Sequence, residues 1–183
     1  TPADSGMIQK NWFKIDTDKL DGVVNFVIDP AYTASQKNDP SALLAYIFLD
    51  NKWQITEVQN VRLEFPDLVK HIGKFVHKNG YTSQSKIYVE PKASGKSIVQ
   101  TLVRETGLNV KEDKPPTKDK VARVQDISAT CETGRVSLLK GHWNEEFLMQ
   151  CQQFPAAKHD DMVDCLVMAL SHHFSAQKVV FFG

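Results

Sequence analysis

Asp29, Glu90 and the group Asp160, Asp161 and Asp164 all fall at one kind of place in the sequence, the boundary of an apolar segment. Asp29 follows the run Val23-Val24-Asn25-Phe26-Val27-Ile28, and Glu90 follows Ile87-Tyr88-Val89. The three aspartates open an apolar helical pattern late in the chain. Ends of strands in one sheet converge on a rim, and carboxylates gathered there repel one another unless cations lie between them. Hard divalent ions such as Mg²⁺ or Mn²⁺, which prefer oxygen ligands, would remove that repulsion.

The spacing in His159-Asp160-Asp161-Met162-Val163-Asp164 bears on which acids act together. Residues three or four apart share a helix face, whereas adjacent residues diverge by about 100°. Asp161 and Asp164 can therefore cooperate, and so can Asp160 and Asp164. His159 stands against this group and could orient a carboxylate. Each acid alone also has a plainer reading: Asp29 as a turn residue, Glu90 as an exposed charge, Asp160 or Asp161 as a helix cap.

Other chemistries lack their residues. Gly95-Lys96-Ser97 is the tail of a phosphate-binding loop, but the first glycine of that motif would fall on Glu90, so an ATP site is not expected. Lys92 and Lys96 remain candidates for phosphate contact beside the acids. The six histidines form no H-E-x-x-H or Cys/His ligand set, and no G-x-S-x-G is present. Cys131, Cys151 and Cys165 are odd in number and contain no C-x-x-C pair, which argues against a disulfide framework.

These acids need a scaffold. The run 23–28 reads as a strand buried on both faces, stopped by Asp29-Pro30. Residues 41–49 form a second strand, Asp50-Asn51-Lys52 a tight reversal, and 53–60 a third, alternating strand, giving an antiparallel meander. Apolar residues at Phe65, Leu68, Val69, Ile72, Phe75 and Val76 predict a helix over 65–79, ended by Asn79-Gly80. A short strand at 86–90, a helix over 95–106, a short strand near 108–110, a charged loop over 111–117 and a helix over 119–130 follow. Residues 134–139 read as a short strand or edge segment, 144–153 as a helix, and the last helix runs from about 160 to 174. Residues 1–21 read as a lead-in packing an aromatic anchor through Trp12 and Phe13, leaving one domain over 22–183. The plan is α/β of the RNase H-like kind: a central mixed sheet opening with an antiparallel meander and flanked by helices.

With 183 residues, 42% apolar and 24% charged, the chain suits one globular domain and not a disordered or collagen-like class. Lys+Arg and Asp+Glu both number 22, so net charge does not point to a nucleic acid. Basic residues do cluster, as in Lys111, Lys114, Lys118, Lys120 and Arg123. No apolar run reaches the roughly 18–20 residues of a membrane span. The opening Thr1 in place of an initiator Met is expected of a piece of a longer chain.

Four stretches carry a family resemblance: 25–32 with Asp29, 87–100 (IYVEPKASGKSIVQ), 117–138 (TKDKVARVQDISATCETGRVSL) and 159–169 (HDDMVDCLVMA). A K-x-x-R segment followed by E-x-G-R-V and then H-D-D-x-x-D is an unusual combination. Over almost its whole length the chain resembles the C-terminal nuclease domain of the large terminase subunit of tailed bacteriophages. The resemblance implies a metal-dependent endonuclease cutting concatemeric double-stranded viral DNA in the cytoplasm of the infected host. It implies two divalent cations, Mg²⁺ or Mn²⁺, held by Asp29, Glu90, Asp161 and Asp164, with His159 and Asp160 as accessories. Lys92, Lys96, Lys118, Lys120 and Arg123 are expected to hold DNA phosphates. The implied partners are an ATPase motor domain not contained in this chain, the portal and the small terminase subunit. The D-x-x-D opening of the last helix is also similar to Holliday-junction resolvases, making a resolvase or transposase-type nuclease the second expectation. A non-catalytic docking module of the motor is the third.

Overall fold

The computed structural model describes residues 6–31, 39–91 and 95–174, with side chains in the last stretch from 98 onward. In the lead-in, Ile8 and Phe13 are buried on either side of a 3-10 turn, Lys10–Trp12. The chain then enters β1, Lys14–Asp16. The apolar run forms β2, Val24–Asp29, followed by β3, Ser41–Leu49, and β4, Lys52–Val61. Asp50 and Asn51 join β3 to β4 with φ of 52° and 65°, the left-handed conformation that a two-residue hairpin loop demands.

α1, Phe65–Lys78, starts with Pro66 in its first turn and stops at Gly80, whose φ is +90°. The remaining elements are β5, Ile87–Val89; α2, Gly95–Thr106; β6, Val110–Glu112; α3, Lys120–Glu132; β7, Val136–Leu139; α4, Asn144–Gln153; and α5, Asp161–Ser171. No described helix is long and apolar enough to cross a membrane.

The seven strands form one mixed sheet in the order β1-β7-β4-β3-β2-β5-β6. β3 pairs antiparallel with both neighbours and every other pairing is parallel. Alternation along the central strands sends their side chains into two separate cores. Phe26 and Ile28 with Leu43, Ala45 and Ile47 face α1 and α2. Val27 with Ala42, Leu44 and Tyr46 faces α3, α4 and α5. The chain is thus a three-layer α/β/α sandwich, the expected RNase H-like plan.

β4 departs from the expected half-solvated alternation, since Trp53 to Val58 are all buried. Two of these buried polar side chains are paired. Gln54 Nε2 donates to Asp16 Oδ2 and to the Asp18 carbonyl, both at 3.0 Å, and Glu57 accepts from Lys78 Nζ at 3.0 Å. β7 likewise is not an edge, because β1 from the lead-in pairs along its outer side. α5 stops at Ser171, about one turn before the expected end.

Candidate metal centre

Strand direction brings the first two acids together. β2 and β5 are parallel with Ile28 opposite Val89, and the Glu90 amide donates to the Ile28 carbonyl at 2.9 Å. Both strands therefore end at the same rim. Alternation places Asp29 on the side of Val27 and Glu90 on the side of Tyr88, the face covered by α5. On that face Trp53 Nε1 donates to the Ala169 carbonyl at 3.2 Å, and the Cys165 thiol approaches the Ala42 carbonyl at 3.5 Å. The first turn of α5 is thereby set over the strand ends.

Carboxylate oxygens of Asp29, Glu90 and Asp164 all lie within 4.8 Å of one another. Asp29 and Asp164 are 1% and 6% exposed, so two of the three acids have lost most of their water. They line a cleft of about 280 Å³ together with Asp39, Lys120, Lys158, His159, Asp160 and Asp161. Burial, with Asp29 next, drives the Asp164 carboxyl up to about 7 against the opposing pull of Lys120. Burial followed by the charges of Asp29, Asp164, Glu90 and Asp161 also pushes the Cys165 thiol well above its ordinary range. The same acids thus raise the pKa of a neighbour that is no ligand.

The donor set fits a hard divalent cation. It offers carboxylate oxygens only, and an ion about 2.0–2.6 Å from each of two oxygens fits between atoms spaced up to roughly 4–5 Å. Among the described residues, no thiol or histidine joins this group.

Asp161 lines the cleft but stands outside the tightest group, which Asp164 joins instead. Asp160 occupies the N-cap of α5 without making a side-chain capping hydrogen bond, contrary to the cap reading. Its Oδ1 accepts from Lys120 Nζ at 2.9 Å, and Lys120 also reaches Asp164 Oδ2 at 3.2 Å. Burial lowers the basicity of Lys120, but the hydrogen bond to Asp160 and the charges of Asp164 and Asp160 outweigh it and hold the ammonium above its usual range. Lys120 begins α3, whose N-cap Asp119 accepts from the Ala122 amide at 2.8 Å.

Lys118 pairs with Asp126 at 2.9 Å. With Lys111, Lys114 and Arg123 it lines a second groove, about 750 Å³, that also reaches Glu90. Lys92 lies outside the described residues and Lys96 falls in the first turn of α2. Sequence reading did not single out Asp39 or Lys158. The signal for Asp39 was the antiparallel course of β3, which starts at the rim where β2 ends, with Asp29 opposite Ala42.

The sequence model of the family described as Terminase RNaseH-like domain matches residues 27–173. The chain belongs to that family. Solved structures agree on the fold. The large terminase of a thermophilic bacteriophage superposes with a TM-score of 0.69 at 11% identity, over 93% of this chain and 44% of that one. This terminase domain thus spans less than half the length of that phage protein. The large terminase nuclease of thermophilic phage G20c, solved with bound zinc, gives 0.61 at 16% identity over 93% and 98% of the two chains. The human cytomegalovirus terminase nuclease domain gives 0.63 at 16% identity over 91% and 89%. No curated protein matches the chain by sequence.

Proposed function

We propose that this terminase domain is a metal-dependent endonuclease that cuts concatemeric double-stranded DNA during viral genome packaging. The observation that carries the reading is the convergence of Asp29, Glu90 and Asp164 within 4.8 Å at one sheet rim. The G20c nuclease, which shares the fold, has been solved with magnesium, zinc and cobalt bound. Asp29, Glu90 and Asp164 would hold one cation, and Asp161 with Asp164 would hold a second; Mg²⁺ or Mn²⁺ suits these oxygen donors. Such cations lower the pKa of an attacking water and stabilise the leaving 3′ oxygen of the phosphodiester.

The protein's own part is to fix this geometry and hold the duplex. Asp29 is immobilised at a strand end, and Asp164 by a helix docked on the sheet. Lys118 and Arg123, together with Lys92 and Lys96, contact phosphates without reading sequence. His159, on the cleft wall, orients the scissile phosphate or an aspartate. The domain works in the host cytoplasm joined to an ATPase motor domain, with the portal and small terminase subunit as partners.

A plasmid-nicking assay tests the reading. Cleavage should require Mg²⁺ or Mn²⁺, stop with EDTA and vanish in Asp29→Asn. Cutting that persists in EDTA or in the variant would sink it.

A further inference from the structure

The cleft contains two places where a cation can sit, and Asp164 belongs to both. One is bounded by Asp29, Glu90 and Asp164. The other is the position proposed above for the second cation, at Asp161 and Asp164, where the ammonium of Lys120 takes up Asp164 Oδ2 at 3.2 Å while Asp160 Oδ1, 2.9 Å away, anchors it from the other side. Two cation positions sharing a carboxylate are what a pair of metal ions about 3.5–4 Å apart requires. Here one of the two already holds a positive charge supplied by the chain.

We propose that Lys120 is a displaceable occupant of the second cation position, anchored by Asp160 against the Asp164 oxygen that the second cation needs. The proposal rests on the metal-nuclease reading above. The first cation enters the Asp29–Glu90–Asp164 seat with Lys120 in place. The second enters only when the lysine withdraws.

The geometry permits that withdrawal. The Lys120 side chain is 40% exposed, against 8% for Asp164, so the ammonium approaches from the solvent side and has water to return to. A lysine head on a four-carbon stem can swing away without moving α3, which keeps its Asp119 cap. Asp160 makes no side-chain capping hydrogen bond, so its carboxylate anchors the lysine without being needed to start α5.

Mn²⁺ titration followed by electron paramagnetic resonance, which counts bound ions without any reaction, tests this on the wild type and three variants. In the wild type one Mn²⁺ should bind well before the second. Lys120→Met should tighten the second binding step by about tenfold or more while leaving the first within a few-fold, since a unit charge leaves the seat itself. Lys120→Arg, which keeps a cation there, should leave the second step weak. Lys158→Met removes a charge from the same cleft wall without vacating the seat, so it should tighten the second step by much less. In EDTA, Lys120→Met should melt several degrees below the wild type, and saturating Mn²⁺ should close that gap.

A second step that is unchanged or weakened in Lys120→Met overturns the proposal, as does a Lys158→Met effect of equal size. In either case Mn²⁺ still binds and the nuclease reading stands. Absence of Mn²⁺ binding in the wild type and every variant overturns both.

Discussion

The thiol of Cys165 lies 3.5 Å from the carbonyl oxygen of Ala42, the residue that pairs with Asp29 across β2 and β3. Cys165 is also the immediate neighbour of Asp164. This approach, together with the Trp53–Ala169 hydrogen bond, holds α5 on the sheet and so bears on how close Asp164 comes to Asp29. Cys165→Leu should wedge the helix outward, costing about 1–3 kcal/mol by overpacking and weakening Mn²⁺ binding at least tenfold. Cys165→Ala should leave metal affinity within a few-fold. Urea unfolding and Mn²⁺ titration of both variants check this, and normal affinity in Cys165→Leu would remove the contact from the account.

Neutralising the proposed ligands should separate activity from folding. Asp29→Asn, Glu90→Gln and Asp161→Asn should each lower cleavage by orders of magnitude and leave circular dichroism unchanged. Because each relieves repulsion among clustered acids, melting temperature in EDTA should hold or rise. A sharp fall in all three variants would make these residues structural.

Asp160 and Asp164 should behave differently. Asp164→Asn removes a carboxylate from the tightest group and should abolish Mn²⁺ binding together with cutting. Asp160→Asn should retain substantial cleavage, and with no side-chain capping bond to lose, its stability cost should come from the weakened Lys120 pair and stay within about 1 kcal/mol. An inactive Asp160→Asn beside a near-normal Asp164→Asn would reverse the assignment.

Asp164 also predicts a pH dependence for the metal-free protein. Its carboxyl is raised from 3.8 to about 7 in the folded state, so folding takes up a proton between those values. The stabilisation is present at low pH and lost as pH rises through about 7. His173, lowered to about 4 by burial and then by the His172 and Lys86 charges, works oppositely and loses stability as pH falls below 6.5. Between pH 6.5 and 8 the Asp164 effect should dominate. In EDTA the melting temperature should be higher at pH 6.5 than at pH 8, and Asp164→Asn should flatten that difference. A wild-type melting temperature that climbs toward pH 8 contradicts the assignment.

DNA affinity should fall steeply with salt and vary little among unrelated duplexes, as phosphate contacts require. The Lys118–Asp126 pair is exposed, with side chains 57% and 45% accessible, so Lys118 can trade its partner for a phosphate at little cost. Lys118→Ala should reduce the log–log salt slope by about one. Fluorescence anisotropy over a salt series measures it, and a salt-independent affinity would refute the electrostatic mode.

The two strand-end acids were legible because an apolar run that stops at a carboxylate marks both an element and its limit. The choice among Asp160, Asp161 and Asp164 was not legible, because it depends on how α5 rolls on the sheet. That roll is set by contacts such as Trp53 to Ala169 and Cys165 to Ala42, more than 100 residues apart in sequence. β4 reads as an alternating strand, yet Trp53 to Val58 are all buried, with Gln54 paired to Asp16 and Glu57 to Lys78 from segments distant in sequence. The ion pairs of Lys120 were not legible, because nothing local shows that its partners lie 40 and 44 residues later.

Among the described elements α5 comes last, so on the proposed metal site the cleft is completed late in synthesis. A ribosome delivers Asp29 and Glu90 long before Asp164, and α5 also supplies much of the core that closes one side of the sheet. A nascent chain interrupted before residue 161 would carry two of the three clustered carboxylates and an uncovered face. Premature termination would therefore yield a misfolding-prone fragment lacking part of the proposed metal site, and that site would be complete only in chains translated past α5.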